Sequence, residues 1–434
     1  MIAIVLAIGD ELALGQTVDT NSAWASARLA GLGVSTLKHV TVADELGPIT
    51  QAIRDAAAAA DLVLISGGLG PTEDDLTRQA LADAMGQKLA EDEPSLQRLA
   101  AWFDDRGRRM PDRNRVQCLI PRTAQPIDNP RGTAPGIHAH LDKAEVFSVP
   151  GVPREMRGMV DDVVIPWVQD RLEATGDQRV IRTTKVNTFG AGESTVSEML
   201  GPELMDRDRN PKVGTTVAGG ICSARLRSEF TTAEEADAAL DETIAQVEAR
   251  LGALVFGRDE TTLQEATVAT LIDKGLTVAT AESCTGGMVA SMLTDVAGSS
   301  AAVAGGWVVY SNEMKRRQLG VPEAVLDEHG AVSPQVAALL AEAARERAHA
   351  DLAVSLTGIA GPGGGTEDKP VGLVYLGLAS SDGPATVLRL SLIGDRAAIR
   401  NRSAKCALQA LRLTALGASL ATLHWGTPVE PTPA

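Results

Sequence analysis

The feature that most constrains this chain is an alternation of short apolar runs and longer alanine-rich stretches over its first 165 residues. The apolar runs Ile2–Ile8 and Leu62–Ser66 predict buried strands, and residues 22–32 and 49–60 predict helices. Buried strands that alternate with helices form a parallel sheet with helices on both faces. The sequence therefore predicts a three-layer α/β domain whose ligands bind beyond the carboxyl ends of its strands.

The alternation stops near residue 165 and returns later in the chain. Between these regions lie candidate strands at about 180–187 and 221–229 and a polar helix at Ala233–Leu251, which predict a small α+β connector. An α/β pattern of helix, strand, loop and helix then resumes. We predict four segments: an α/β domain at 1–167, a connector at 168–257, a second α/β domain at 258–424 and a disordered tail at 425–434.

Charge and composition exclude several classes of protein. The net charge of −16 argues against a nucleic-acid partner, and the basic cluster at 106–115 alternates with aspartates, as in a solvated loop or an anion site. The four cysteines lie far apart, which is typical of a reducing cytosol. No apolar run is long enough to span a membrane, and the first residues predict a strand, not a signal peptide. We expect a cytoplasmic protein without a membrane or nucleic-acid partner.

The segment 280–287, TAESCTGG, predicts a turn between a strand and a helix. Such a turn exposes a side chain and aims backbone amides at it, which suits a nucleophile and an oxyanion. Ser283 is the candidate nucleophile, and Cys284 is an alternative because a thiolate can be activated at this position. Ordinary helix capping by Ser283 or Thr285 is a further alternative. We predict substrate contacts along the turn, from Glu282, Cys284, Thr285, Gly286 and Gly287.

A serine nucleophile requires a base, and histidine is scarce in this half of the chain. Lys315 is the candidate base, with the hydroxyl of Tyr310 as a relay, although a surface charge is the plainer interpretation of Lys315. A glycine-rich loop follows a predicted strand and contributes Thr357, Gly358 and Gly361 to substrate binding. Arg396 precedes a long predicted helix. A cation at a helix N-terminus is unfavourable because of the helix dipole, so this position favours a role in holding an anion such as a phosphate.

Two motifs follow the first and third strands of the N-terminal domain. In the second motif, SGGLGPTEDD, Gly67, Gly68, Gly70 and Thr72 are predicted to bind phosphate, since glycines let a phosphate approach the backbone. Asp10, from the GDE motif, and Asp74 with Asp75 supply hard oxygen ligands for a divalent metal. The alternative for residues 73–75 is an acidic first turn of the next helix.

Several motifs of the C-terminal half resemble the C-terminal domain of the CinA family: AESCTGG, GGWVVYSNEMK, GAVS, TGIAGPGGGTEDKPVG and GDRAAIR. The resemblance covers about residues 258–424. It implies a nicotinamide-nucleotide amidohydrolase that converts nicotinamide mononucleotide to nicotinic acid mononucleotide and ammonia without a metal cofactor. It further implies that Ser283 is the nucleophile, Lys315 its base and Tyr310 a proton-transfer aid, and that Thr357 and Arg396 hold the substrate.

Residues 1–165 resemble the N-terminal domain of the same family, including GQTVDTN at 15–21. This domain is similar to the molybdopterin-binding domains of molybdenum-cofactor biosynthesis. The resemblance implies a metal-dependent ADP-ribose pyrophosphatase, a homodimer and a role in pyridine-nucleotide salvage. The alternative is a module that binds a nucleotide or a pterin without hydrolysis.

Overall fold

The computed structural model describes residues 1–176 and 179–431 of the chain. Contacts divide the chain into two compact units. The first comprises Met1–Arg182 with Ser228–Ala238, and the second comprises Thr183–Arg227 with the chain from Ala239 onward. The helices of the described residues include none that is both long enough and apolar enough to cross a membrane.

The described residues 1–176 form eight strands and seven α-helices. The strands are β1 Ile2–Ile8, β2 Ser35–Val42, β3 Leu62–Ser66, β4 Leu89–Glu91, β5 Leu119–Pro121, β6 Gln125–Ile127, β7 Gly136–Leu141 and β8 Ala144–Val149. The helices are α1 Asp10–Ala13, α2 Thr20–Ala30, α3 Leu46–Ala59, α4 Thr77–Ala84, α5 Glu93–Asp104, α6 Pro153–Met159 and α7 Ile165–Thr175.

The main sheet of the first unit has the order β2-β1-β3-β8-β7-β6. Its first four strands are parallel to one another. Strand β7 is antiparallel to β8, and β6 is antiparallel to β7. Helices α3 and α4 pack on one face of the sheet, and α2, α6 and α7 pack on the other. This confirms the predicted three-layer α/β fold. Because β1 and β3 are adjacent and parallel, the motifs that follow them meet at one edge of the sheet.

Residues 180–258 form a four-stranded sheet of order β10-β11-β9-β12, most of which belongs to the second unit. Its strands are β9 Val180–Thr188, β10 Lys212–Ala218, β11 Ile221–Phe230 and β12 Val255–Arg258, and its helices are α8 Glu193–Leu204 and α9 Ala233–Leu251. Apolar residues of α8 and α9 form one core with the sheet. This part has the α+β composition predicted for the connector.

A six-stranded sheet of order β14-β13-β15-β16-β17-β18 forms the rest of the second unit. The strands are β13 Val278–Glu282, β14 Val303–Val308, β15 Leu352–Gly358, β16 Leu373–Ala379, β17 Thr386–Ser391 and β18 Gly426–Val429. The helices are α10 Leu263–Asp273, α11 Met288–Thr294, α12 Asn312–Leu319, α13 Glu323–His329, α14 Pro334–Ala348 and α15 Arg396–Ala415. Helices α10, α11 and α15 share the core on one face, and α12, α13 and α14 share the core on the other.

Two predicted boundaries are wrong. The first domain does not end at residue 167, because α7 runs through that position and places Val168 and Leu172 in the core of the first unit. The segment from residue 425 is not a disordered tail throughout, because Gly426–Val429 pairs with β17 and Trp425 packs edge-on against Phe189. The sequence did not predict this strand because the segment has few apolar residues. The strand forms because the edge of β17 is open for pairing. Residues 432–434 of the predicted tail lie outside the described residues.

Candidate active site

Ser283 lies immediately after the central strand β13 of the second unit. Its amide donates to the carbonyl of Leu356 at 2.9 Å, so the sheet pattern continues one residue beyond β13. Side chains alternate between the two faces of a strand. Glu282 and Cys284 accordingly face the layer of α11 and α15, and Ser283 faces the layer of α12. This alternation decides which of two adjacent nucleophiles meets the candidate base.

Lys315 reaches Ser283 from α12. Ser311 caps this helix through its hydroxyl, which accepts from the amide of Met314 at 3.1 Å. One residue later, Lys315 turns towards the sheet and is only 1% exposed. Its Nζ lies 3.0 Å from Ser283 Oγ. The structure therefore joins the predicted nucleophile and base across 32 residues of sequence, and Lys315 is not the surface charge of the plainer interpretation.

Burial of Lys315 shifts its protonation equilibrium towards the neutral amine. Its Nζ donates to the carbonyls of Val309 at 3.0 Å and Tyr310 at 3.2 Å, and neither carbonyl can donate in return. Burial lowers the pKa of Lys315 below its ordinary value. A neutral amine has two hydrogens, which the two carbonyls accept, and one lone pair, which is left for the hydroxyl of Ser283. That arrangement is the one a general base requires.

Cys284 does not have the properties of a nucleophile. Its side chain is buried in the core beside α11, and burial raises the pKa of its thiol to about 11. A thiol with such a pKa is protonated near neutral pH, and the thiolate is the reactive form. Of the two candidates in the turn, Ser283 is therefore the one whose side chain contacts the candidate base.

The turn after Ser283 is built from two glycines with positive φ, Gly286 at 62° and Gly287 at 91°. The amide of Gly286 donates to the carbonyl of Ser283 at 3.1 Å, so it is not free to donate to an oxyanion. In the part of the chain that the structure describes, the amides of Thr285 and Gly287 donate to no protein acceptor. These two amides remain as candidate donors to an oxyanion.

Glu282 has a different role from the substrate contact that we predicted. It is 1% exposed, and its carboxylate accepts from the amides of Val289 at 3.1 Å and Ala290 at 2.8 Å. These amides belong to the first turn of α11, where backbone donors lack partners within the helix. Glu282 thus anchors α11 to β13 and stabilises the turn that contains Ser283.

Tyr310 and Arg396 form a second part of the site. The guanidinium of Arg396 donates to Tyr310 Oη at 3.2 Å and to the carbonyl of Gly361 at 2.8 Å. Tyr310 is 62% exposed, and its phenol meets Arg396, whereas its backbone carbonyl meets Lys315. The predicted relay from Tyr310 to Ser283 is therefore not formed in this structure, because the ring points to the other end of the site.

Two further predicted substrate ligands serve the protein itself. Thr357 is buried, and its hydroxyl donates to the carbonyl of Ala331 at 2.7 Å. Gly358 lies against β16, where an added Cβ would come within 2.7 Å of the carbonyl of Leu373. Both residues hold the loop that follows β15 against its neighbours. The observed contacts of both residues therefore shape the loop beside the site.

The first unit has a separate cleft of about 400 Å³ at the carboxyl ends of β1 and β3. The predicted phosphate-binding residues Gly67, Gly68 and Gly70 line it. A Cβ at Gly67 would lie 2.2 Å from the carbonyl of Ile8, so this position requires glycine. Thr72 was predicted to bind phosphate, but it lies outside the cleft lining. Its amide and hydroxyl both donate to Asp75.

The three predicted metal ligands do not come together as a metal cage. Asp75 accepts from the amides of Gly70 and Thr72 and from the Thr72 hydroxyl, so it braces the loop. Asp10 exchanges hydrogen bonds with Asp44, each carboxylate accepting from the other residue's amide. Across residues 1–176 and 179–431, no three His, Cys, Asp or Glu side chains are grouped to hold a metal ion. The carboxylates have suitable chemistry but do not fit a preassembled site.

The cleft lining is strongly acidic. None of the lining residues is a lysine or an arginine. Five of them carry carboxylates: Glu11, Asp44, Asp74, Asp75 and Glu155. Burial raises the pKa of Asp44, and the repulsion from Asp10, Asp74 and Glu11 adds to this rise. Sequence reasoning missed Asp44 and Glu155, because their positions outside the two motifs carry no local signal.

The described fold and site define an α/β protein with a molybdopterin-binding-like first domain and a buried serine–lysine pair in the last. The family models described as "Probable molybdopterin binding domain", "Damage-inducible protein CinA KH domain" and "CinA C-terminal domain" match residues 4–170, 183–257 and 260–415. The chain belongs to the CinA family, as the sequence analysis predicts.

Relatives of known sequence match nearly the whole chain. It is 43% identical over 408 residues to a CinA-like protein from Geobacter sulfurreducens, which covers 94% of this chain and 97% of the relative. It is 42% identical over 413 residues to a CinA-like protein from Geobacter metallireducens, which covers 94% and 98%. A solved competence/damage inducible protein from Agrobacterium tumefaciens is 44% identical, with a TM-score of 0.34, over 34% of this chain and 91% of its own.

Proposed function

We propose that the second unit deamidates nicotinamide mononucleotide to nicotinic acid mononucleotide and ammonia. The observation that carries this proposal is the 3.0 Å contact between Ser283 Oγ and the buried, carbonyl-anchored amine of Lys315. The resemblance of the surrounding motifs to nicotinamide-nucleotide amidohydrolases supplies the substrate. The competing proposal is a nucleotide-binding module in which the same site binds without turnover.

The reaction follows from the roles available to these side chains. Lys315 accepts the proton of Ser283 as Oγ bonds to the carboxamide carbon, and the amides of Thr285 and Gly287 receive the resulting oxyanion. The Lys315 ammonium then returns the proton to the amide nitrogen, which leaves as ammonia. Water, deprotonated by the same lysine, attacks the acyl carbon of the ester; the bond to Ser283 Oγ breaks, the Lys315 ammonium returns the proton to Oγ, and the carboxylate is released. One water is consumed and one ammonia is formed in each cycle.

The second part of the site suits the other end of the substrate. Arg396 has five N–H donors, and its two observed bonds to Tyr310 and Gly361 leave further donors for an anion. Arginine binds phosphate in a bidentate geometry, which agrees with a 5′-phosphate at this position. The exposed ring of Tyr310 lies beside that position and offers an apolar face.

The direct test is ammonia release from nicotinamide mononucleotide by purified protein, with and without a strong chelator. We expect release at the same rate in both conditions, because the serine–lysine mechanism uses no metal. Nicotinamide itself, which lacks the phosphate, serves as the matched poor substrate. Folded protein that releases no ammonia in either condition would contradict the proposal and favour the binding module.

We also propose that the first unit binds ADP-ribose and hydrolyses its diphosphate. The glycine-lined cleft beyond β1 and β3 favours this, since glycines let phosphates approach the backbone. A diphosphate is repelled by an acidic lining unless a divalent cation accompanies it. Because the described residues form no ready metal cage, this proposal requires that the cation enter the cleft together with the diphosphate.

The expected result is release of AMP from ADP-ribose only when a divalent cation is added. Asp74→Asn should lower this rate at least about tenfold, because Asp74 faces the cleft. Glu73→Gln is the control, since Glu73 is an exposed neighbour outside the lining. Binding of ADP-ribose without AMP formation under any metal would replace hydrolysis by the pure binding function.

A further inference from the structure

Arg400 contacts the turn that contains the candidate nucleophile. It lies one helical turn after Arg396 on α15, and it is half-buried. Its Nε donates to the carbonyl of Cys284 at 3.1 Å, and its terminal nitrogen donates to the carbonyl of Thr285 at 2.6 Å. One guanidinium thus holds two successive peptide groups, 115 to 116 residues away in the sequence.

These two bonds determine the direction of the neighbouring amides. In a trans peptide the C=O and the N–H point in opposite directions. Because the carbonyl of Cys284 points to α15, the amide of Thr285 points away from α15, towards the face of the sheet that carries α12. Ser283 Oγ and Lys315 Nζ meet on that same face. The amide of Thr285 therefore points to the side where an oxyanion would form.

We propose that Arg400 is a positioning residue that orients the oxyanion-binding amide of Thr285 through the Cys284 carbonyl of the same peptide group, while its bond to the Thr285 carbonyl holds the next peptide of the turn. This inference rests on the proposed amidohydrolase function. Arg400 is not assigned as a substrate ligand, since its observed bonds go to the turn. The planar guanidinium suits this task, because its fixed fork spans two carbonyls and a lysine ammonium has no such geometry. Gly286 completes the arrangement: a Cβ there would lie 3.3 Å from the Arg400 guanidinium.

The test compares steady-state kinetics with nicotinamide mononucleotide for Arg400→Met, Arg400→Lys and the wild type. Loss of one oxyanion donor lowers kcat about 10²-fold, so we expect a fall of that order for Arg400→Met with KM changed less than about threefold. Arg400→Lys should recover part of kcat, because one carbonyl can still be held. The pH at which the rate rises should not change, since Lys315 is untouched.

Two controls separate positioning from general damage. Arg402→Met changes another arginine of α15, whose bond goes to the carbonyl of Ile393 and not to the turn, and it should leave kcat unchanged. Arg396→Met should mainly raise KM. If kcat is unchanged in both folded Arg400 variants, or if only KM rises, the positioning role is wrong. Should Arg400→Met fail to fold, Arg400→Lys alone decides between these outcomes.

A second measurement keeps this inference distinct from the proposed substrate. A sulfonyl fluoride transfers its sulfonyl group to Ser283 Oγ with loss of fluoride, and intact-mass analysis gives the rate. Wild-type protein that is labelled at Ser283 but releases no ammonia contradicts the substrate assignment alone. Labelling that is at least about tenfold slower in Arg400→Met supports the positioning role whatever the substrate. Equal labelling rates contradict it.

Discussion

Ser283→Ala is expected to lower kcat for ammonia release by at least about 10⁴-fold, because loss of the nucleophile removes the covalent route. Binding of nicotinamide mononucleotide should persist, since the residues around Arg396 are unchanged. Steady-state kinetics and calorimetric titration of the variant measure the two effects. Binding in the variant together with turnover in the wild type would exclude a non-catalytic scaffold.

Cys284→Ala is the matched control for this substitution. The thiol is buried and its pKa is raised to about 11, so its removal should change kcat by less than about fivefold. The opposite pattern, with an active Ser283→Ala and an inactive but folded Cys284→Ala, would make the cysteine the nucleophile. This pair of variants is decisive because the two adjacent side chains face opposite sides of the sheet.

Lys315→Met should lower kcat by a comparable factor, at least about 10⁴-fold, because no other base contacts Ser283 among the described residues. Methionine has a similar length and is apolar, so the buried site should accept it. Lys405→Met is the control. Burial lowers the pKa of Lys405 as well, but its Nζ donates to the carbonyl of Gly219, away from Ser283. A folded Lys315→Met with near wild-type kcat would contradict the assigned base.

The pH dependence of the wild type follows from the same lysine. Only the neutral amine accepts a proton, so kcat/KM should be low at acidic pH and rise to a plateau as Lys315 loses its proton. Burial places this transition below the ordinary lysine pKa of 10.5. A rate that falls as pH rises through this range would contradict Lys315 as the base.

Local sequence patterns predicted the fold and the central pair of residues. Apolar runs mark buried strands in any context, and the residue after a strand in an α/β fold lies at its ligand-binding edge. Ser283 and Lys315 were accessible by this reasoning, since Ser283 directly follows the central strand β13 and Lys315 lies on the helix that follows the edge strand β14. The boundaries at 167 and 425 were wrong because helix α7 and strand β18 obtain their stability from distant partners.

The partners of polar side chains were not accessible from the sequence. Glu282, Thr357 and Asp75 looked like ligand contacts, but each satisfies backbone groups of its own protein. Arg400 carried no local signal, because it acts on a turn more than a hundred residues away. A short polar side chain next to a glycine-rich turn has the same sequence pattern whether it binds a ligand or braces the turn.

The sequence by itself determined the α/β architecture and the candidate serine and lysine, because apolar periodicity and strand-end position are local properties, and its motifs carried the resemblance to the family. Only the tertiary structure decided that Ser283 and not Cys284 faces the base, that Lys315 is buried with two carbonyls, and that Arg400 holds the turn. These outcomes depend on which elements pack on each face of β13. Packing of that kind joins residues far apart in the chain, and their identities alone do not specify it.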